Sequence, residues 1–534
     1  MTAPAYDVAV IGGGVAGLTT AALLGKRGMR VVVLEARDTL GGLTSTEDLV
    51  PGVACDMVDH ELAWVPRALF SELGLRRRGQ DLRRQVPCVA GLVPDAESLT
   101  LYPDVPRTVQ MLERFSRRDA AAWPAFVDRV ARLSGFLQTL YSVPAPSLFA
   151  SGTGNLLTLL GLGRKARSLG RDGMFDLLRT LPMSIADVLD ETFESSALKG
   201  LLAARGVTRI LQGPKSGATA FLFLHHHVGL ASGAVGGSIS PTAGVGALPA
   251  ALAASAKSQG VTIRTGARVA HIDVQNDRVA GVVLSSGEEI AASRVASSLD
   301  VRRTMYDLIP PEHVEPELSR AVGHVRMRAA TAKVNVVLDG RLPAPAYFMG
   351  GTLVVAPSMP YLEKGFDRAK HGHVAEEPLL EIRTNNPDGA NAQTGVSVLV
   401  QWAPYHLKSG TWDTTTRDAL ADNVLQTIER VMPGFSSRVV QHQVLSPLDI
   451  EQRYGASEGS LTHGELALDQ ILFMRPVPAL SRYQSSSIRG LFLCGRGCHP
   501  GMPVPAAMLA AREIMRAARN RESATAPTAS PPAA

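Results

Sequence analysis

The first 45 residues constrain this chain most, because they read as a complete strand–turn–helix–strand unit for binding a dinucleotide. Tyr6 to Ile11 is a short apolar run suited to a buried parallel strand, and Gly12, Gly13, Gly14 and Gly17 follow at once. Ala16 to Arg27 has the composition of a helix, and Met29 to Leu34 is a second apolar strand that ends on Glu35. In such a unit Gly12 allows the tight turn, Gly14 lets backbone approach a pyrophosphate, and Gly17 lets helix and strand pack closely. The helix N-terminus presents free N–H groups and a positive dipole end to the anion. Glu35 stands at the distance where a carboxylate accepts hydrogen bonds from ribose hydroxyls.

Residues beyond Glu35 argue for FAD rather than NAD. Arg37 to Thr44 contains a second glycine pair, Gly41-Gly42. Paired glycines here let backbone pass beside an extended cofactor, although Gly-Gly also marks ordinary surface turns. Two later segments return to nucleotide-fold character. Ser240 to Gly246 is a glycine turn, Leu248 to Ser258 an alanine-rich helix, and Val261 to Thr265 and Ala267 to Ile272 are short strands. Near the C-terminus, Leu491 to Cys494 reads as a strand, Gly495-Arg496-Gly497 as a turn, and Ala506 to Arg516 as a helix.

Together, residues 8–44, 238–273 and 488–516 resemble the phytoene desaturase-like FAD oxidoreductases within the amine oxidase superfamily, which include the carotenoid desaturases and retinol saturase. Within them the chain is most similar to the pyridine nucleotide-disulfide oxidoreductase domain-containing protein 2 group. The stretches Leu224-His-His-His227-Val-Gly229 and Gly459-Ser-Leu-Thr-His463-Gly464, continuing to Phe473-Met-Arg-Pro476, carry that further likeness. The resemblance implies FAD contacts at Gly12, Gly14, Val15, Ala16, Gly17, Glu35, Ala36, Arg37, Gly41, Gly42, Leu43, Thr44, Val269, Gly495, Arg496, Met502 and Val504. Arg37 would lie beside the pyrophosphate and Val269 against the adenine. The flavin loop departs from the family pattern at Arg496, Cys498, Met502 and Pro503, and Val58 stands where relatives usually have glycine.

The expected fold class is α/β. A Rossmann-like FAD domain is assembled from residues 1–75, 236–300 and 456–519, and a mixed α+β substrate domain from 76–235, with its helical insertion, and 301–455. Residues 520–534, rich in Ala, Pro, Ser and Thr, read as a disordered tail. Val109 to Phe115, Trp123 to Leu140, Phe175 to Phe193 and Asp418 to Val431 read as helical. His271 to Val295 alternates like a β-meander around a Ser285-Ser-Gly-Glu turn. Ser297 to about Arg328 reads as helical and irregular. Ala330 to Val337 and Ser397 to Trp402 read as strands of the second domain's sheet.

With 534 residues the chain can bury a large core, and its net charge of +5 is mild over that length. No basic block points to nucleic acid. The N-terminal strand leaves no room for a signal peptide, so a cytoplasmic protein is expected. Ser151 to Arg171 joins an apolar run to Arg164, Lys165, Arg167 and Arg171, a pattern open to peripheral membrane contact or to covering the core. Cys55, Cys88, Cys494 and Cys498 form no C-x-x-C pair and read as small core residues.

His463, between a Gly-Ser-Leu-Thr turn and Gly464, is the first candidate catalytic residue, and His226 and His227 are the others. Three consecutive histidines point in different directions and cannot converge on one ion, so no metal site is expected. Asp59 and His60 read either as an acid/base pair near the flavin or as a salt-bridged loop. Cys498 and His499 raise, weakly, covalent flavin attachment. The expected activity is hydride transfer between a C–H bond of an apolar substrate, isoprenoid, polyene or lipid-like, and FAD. Oxygen or a quinone is the expected acceptor, and a homo-oligomer is compatible with the sequence. An amine or amino-acid oxidase, and a non-catalytic scaffold stabilised by FAD, are the alternatives.

Overall fold

The structure is a computed structural model describing residues 5–75, 89–94, 97–145, 160–161, 163–165, 167–241, 243–343, 351–385 and 392–525. In chain order the strands are β1 (Val8–Ile11), β2 (Val31–Leu34), β3 (Thr46–Val50), β4 (Val53–Asp56), β5 (Val89–Leu92), β6 (Leu99–Leu101), β7 (Thr262–Arg264), β8 (Val269–Gln275) and β9 (Arg278–Leu284). They continue as β10 (Glu289–Ala291), β11 (Val295–Ser297), β12 (Thr331–Asp339), β13 (Thr352–Val355), β14 (Leu380–Thr384), β15 (Gln393–Gln401), β16 (Val439–Leu445) and β17 (Leu491–Leu493).

A parallel sheet in the order β17-β11-β1-β2-β7 forms the first layer. Continuous apolar runs suit strands covered on both faces, and β1 and β2 are wholly buried. The helix Val15–Lys26 lies between Ala247–Ser258 and Pro503–Thr525, which brings the three separated segments together. Gly17 makes this possible, since a Cβ there would stand 2.0 Å from the Gly12 carbonyl oxygen.

The second sheet is mixed, in the order β16-β12-β15-β14-β13-β5-β6. Its spine is the antiparallel β12–β15 pair, in register from Thr331↔Gln401 to Asp339↔Gln393. One face meets a helical layer built around Trp123, Phe126, Phe193 and Phe223, and the helix Thr414–Val431 covers the other.

Three expectations change. The meander stops at β10, and β11 becomes an inner strand of the parallel sheet, because Val295, Ala296 and Ser297 are buried on both faces. The ribbon β3–β4, inside the segment assigned to the nucleotide domain, packs on the second sheet instead. There the Asp56 N–H donates to Ser397 Oγ at 3.0 Å, and Ala54 lies so close to Gly395 that a Cβ there would meet its carbonyl oxygen at 2.2 Å. The stretch after Ser297 is helical and irregular as expected, with a π-helical turn at Arg303–Asp307 and the helix Pro316–Gly323. The last helix runs to Thr525, beyond the expected start of the tail at residue 520. Cys88, Ser151 to Leu159, Leu162, Ala166 and the end of the tail lie outside the described residues.

Candidate active site

A cavity of ≈ 470 Å³ opens at the C-terminal ends of β1 and β2, where ligands bind in open α/β sheets. Gly12, Gly14, Val15, Ala16, Glu35, Ala36, Arg37, Gly41, Gly42, Leu43 and Thr44 line it, joined by Arg268, Val269 and Ala270 at one end and by His463 and Arg496 at the other. The structure therefore brings together most of the residues expected at the cofactor. Gly17 and Gly495 stand behind the wall, Gly495 so close to the loop after β11 that a Cβ would meet the Ser298 carbonyl oxygen at 2.4 Å. Val504 is a core residue, and Met502 lines a second, inner chamber rather than this cavity.

The wall fits FAD on its own geometry. Gly41 holds φ at +113°, left-handed backbone that favours glycine, and this turn brings Gly42 so near Gly14 that a Cβ on Gly42 would stand 3.4 Å from the Gly14 Cα. The helix beginning at Val15 has no side-chain cap, so its N-terminal N–H groups face the cavity free. Glu35 is held by the N–H groups of Gly13 (2.6 Å) and Arg37 (2.9 Å). Arg37 pairs with Glu47 at 2.6 Å and lies over the Tyr454 ring at 4.7 Å, while its buried Nη1 has no partner. An unpartnered guanidinium N–H in a buried wall is costly unless an anion completes it.

At the other end Arg496 bonds Asp59 Oδ2 (2.7 Å) and the Leu461 carbonyl (2.6 Å), and Thr44 donates to the same carboxylate oxygen. Burial pushes the Asp59 carboxyl up, but Arg496 and Arg209 outweigh it and hold the group below the usual range. Asp59 is thus an ion-pair partner, and His60 turns away from it. His60 donates from Nε2 to Glu381 (3.1 Å) and accepts at Nδ1 from Lys333 (3.2 Å). Burial, then the Lys333 charge, keeps His60 neutral, well below its ordinary value.

His463 lines the cavity with φ at +53° and an unpartnered Nδ1. Burial and the nearby Arg496 and Arg475 depress its pKa to about 3. It is neutral at ordinary pH and offers a hydrogen bond rather than a stored proton. His227 is a correction. Its Nδ1 donates to the Phe223 carbonyl at 2.6 Å and its Nε2 accepts from the Gly236 N–H at 2.8 Å, so both ring nitrogens are committed away from the cavity. His226 donates to the Arg205 carbonyl at 2.7 Å and, with His225, borders the inner chamber. No group of three metal-binding side chains occurs among the described residues. Neither Cys498, whose thiol burial pushes up, nor His499, which donates to the Leu140 and Val143 carbonyls, lines the cavity.

The inner chamber shares Arg496 and Pro503 with the main cavity. Beneath it Glu61 takes two contacts from Arg205 Nη1 (3.1 and 3.0 Å) and lies 3.1 Å from Arg209. Burial raises the Glu61 carboxyl, but the two arginines prevail and hold it at about 2. Glu381, Lys333 and Arg383 continue the network on β12 and β14, with burial lowering Lys333 to about 8. Sequence reasoning passed over these residues. Their signal was present: Lys333, Glu381 and Arg383 place charges among the apolar residues of buried strands, and Arg205 interrupts Leu201 to Val207, where a buried charge requires partners.

The fold and this cavity define an FAD-dependent oxidoreductase, and the comparisons with known proteins agree. The model of the flavin containing amine oxidoreductases matches residues 15–518, and the chain belongs to that family. It is 32% identical over 530 residues to the pyridine nucleotide-disulfide oxidoreductase domain-containing protein 2 of Rattus norvegicus, covering 93% of this chain and 91% of that protein. It is 24% identical over 510 residues to the lycopene-forming phytoene desaturase of Pantoea ananas, covering 93% and 95%. A putrescine oxidase structure with putrescine bound shares the fold, with a TM-score of 0.57 at 15% identity over 97% of this chain and 99% of that one.

Proposed function

We propose that this oxidoreductase is a desaturase or dehydrogenase that removes hydrogen from a C–H bond of an apolar substrate, isoprenoid, polyene or lipid-like. The observation that carries the reading is the end-to-end likeness to carotenoid desaturases together with the walls of the inner chamber. Leu62, Ile239, Leu461, Leu466 and Met502 line it, with Trp64 as its one Phe, Tyr or Trp side chain among the described residues. An aromatic cage of the kind an amine oxidase would need is therefore not formed by the described lining residues.

Bound FAD supplies a two-electron acceptor. The chain's own residues bind, orient and shield. Helix N–H groups after Gly14 and the free Arg37 Nη1 would hold the phosphates, Glu35 the ribose hydroxyls, and Arg268 to Ala270 the adenine. Arg496 and neutral His463 border the reacting end. Oxygen or a quinone accepts the electrons.

The exposed Leu160, Phe175 and Leu178, with Arg171 beside Phe175, support a peripheral contact with a membrane as the route for such a substrate. No described helix is long and apolar enough to cross one. A cytoplasmic location and a homo-oligomer belong to the same reading.

Anaerobic titration of the flavin absorbance tests it. Bleaching by a polyene or isoprenoid donor, with none by primary amines or amino acids, is the expected result. Bleaching by amines alone would replace the reading with an amine oxidase, and failure of every donor class would favour the scaffold.

A further inference from the structure

The inner chamber is not uniformly apolar, and its charges do not balance. Arg205, Arg209 and Arg496 reach its wall, against one carboxylate, Glu61. Asp59, which pairs with Arg496, raises the count to three guanidinium groups against two carboxylates. The layer behind is neutral in sum, Lys333 and Arg383 facing Asp56 and Glu381. One positive charge is thus left over in a buried site.

Arg209 lies among Glu61, Asp59 and Glu381, which favour its charge, yet not all of its donors are satisfied. Its Nη2 is 3.1 Å from Glu61 Oε1 but lacks hydrogen-bond alignment, and neither Nη2 nor Nε has a hydrogen-bond partner, although both atoms are buried. Arg205 Nε is unpartnered as well. Arg209 also holds φ at +66°, a left-handed conformation that is uncommon for a long side chain, and strain of this kind persists where surrounding structure over-determines it. Its backbone N–H is tied to Gln401 Oε1 at 2.8 Å. A buried guanidinium with open donors matches a carboxylate, which can accept two parallel N–H bonds.

We propose that the inner chamber is a carboxylate-binding subsite, in which Arg209 receives the acid end of the substrate. This rests on the oxidoreductase reading above and refines it: the substrate is an apolar carboxylic acid rather than a pure hydrocarbon. The chamber, ≈ 50 Å³, takes the carboxylate and its nearest carbons, and the chain extends toward the main cavity on the side where the two share Arg496 and Pro503.

The test uses the flavin-loaded protein and reads perturbation of its absorbance spectrum, which needs no turnover. Octanoate, octanol, octylamine and methyl octanoate serve as probes. Octanoate is expected to give a saturable difference spectrum that the other three do not reproduce at equal concentration. Arg209→Met is expected to weaken octanoate binding at least tenfold, and Arg209→Lys, which keeps the charge, to lie between. FAD content and the unperturbed spectrum of each variant report whether it has folded. Equal binding of octanol or the ester, stronger binding of octylamine, or undiminished octanoate binding by a flavin-loaded Arg209→Met protein would overturn the subsite. If Arg209→Met does not fold, the comparison of octanoate with its ester in the unaltered protein decides by itself. Flavin bleaching by a polyene hydrocarbon, with no octanoate binding, would overturn the carboxylate subsite while leaving the desaturase reading intact. Octanoate binding with no bleaching by any donor class would do the reverse.

Discussion

The two chambers of the site are built by opposite means. The phosphate-facing part of the outer cavity is walled by residues from 11–16 and 34–44, two short stretches in which glycines, a helix N-terminus and one carboxylate are the binding groups, while Arg268 to Ala270, Glu451 to Gly455, His463 and Arg496 complete the wall. The inner chamber draws Glu61, Arg205, Arg209 and Arg496 from positions as much as 435 residues apart and relies on side-chain charge. Local backbone geometry supplies the first, and tertiary packing of ions supplies the second. The outer wall can therefore lose a side-chain contact and keep its shape, while the inner network, once opened, leaves charge stranded in a buried site.

That contrast can be broken most forcefully at Glu61. Glu61→Ala leaves Arg205 and Arg209 buried without their counter-charge, and removal of one partner from a buried pair costs about 3–5 kcal/mol. Urea unfolding checks this, and a loss under about 1 kcal/mol would show the network to be open to water. The same carboxyl has a pH signature. Its folded value is depressed from the ordinary 4.5 to about 2, so its extra stability is fully present above pH 4.5 and lost as pH falls toward 2. Glu61→Gln should flatten that part of the stability–pH curve.

Gly17→Ala attacks the outer wall through backbone, since the added Cβ would meet the Gly12 carbonyl oxygen at 2.0 Å. Overpacking of this kind costs about 1–3 kcal/mol, and the displaced helix should leave purified protein without flavin. Glu35→Gln is milder. Removing the charge from a carboxylate held by the Gly13 and Arg37 N–H groups should weaken FAD binding by roughly 10–100-fold, the range of one charged hydrogen bond. Fluorescence titration of apoprotein with FAD measures it, and an unchanged affinity would place the ribose elsewhere. The smallest effect belongs to Cys498→Ala, which should leave the flavin spectrum unchanged and cost about 1 kcal/mol of stability.

The same contrast explains what the sequence made legible. The βαβ unit at residues 8–34 could be read because each of its parts lies next to the one it works with, and Gly41-Gly42 follows within ten residues. The returning elements at 238–273 and 488–516 were readable through the same glycine–helix pattern. Assigning β11 to the parallel sheet required knowing that residues 295–297 are covered on both faces, which three residues do not announce. The roles of the histidines were hidden for a related reason. His227 is fixed by Phe223 four residues away and by Gly236 across a turn, whereas His463 reaches the cavity through a strained loop, and the same residue type gives no sign of which will happen. The inner ion network was hidden most deeply, because Glu61 and Arg205 are partners only in three dimensions.

The absorbance spectrum of the purified protein, recorded before and after denaturation and joined to the mass of the polypeptide, tests the two-chamber account most directly. A cofactor cradled by Gly12 to Thr44 and bordered by Arg496, with Cys498 and His499 turned away, predicts flavin bands in the native protein, complete release of FAD on unfolding, and an unmodified polypeptide mass. Colour retained by the unfolded chain, or a colourless protein that does not take up added FAD, would contradict it.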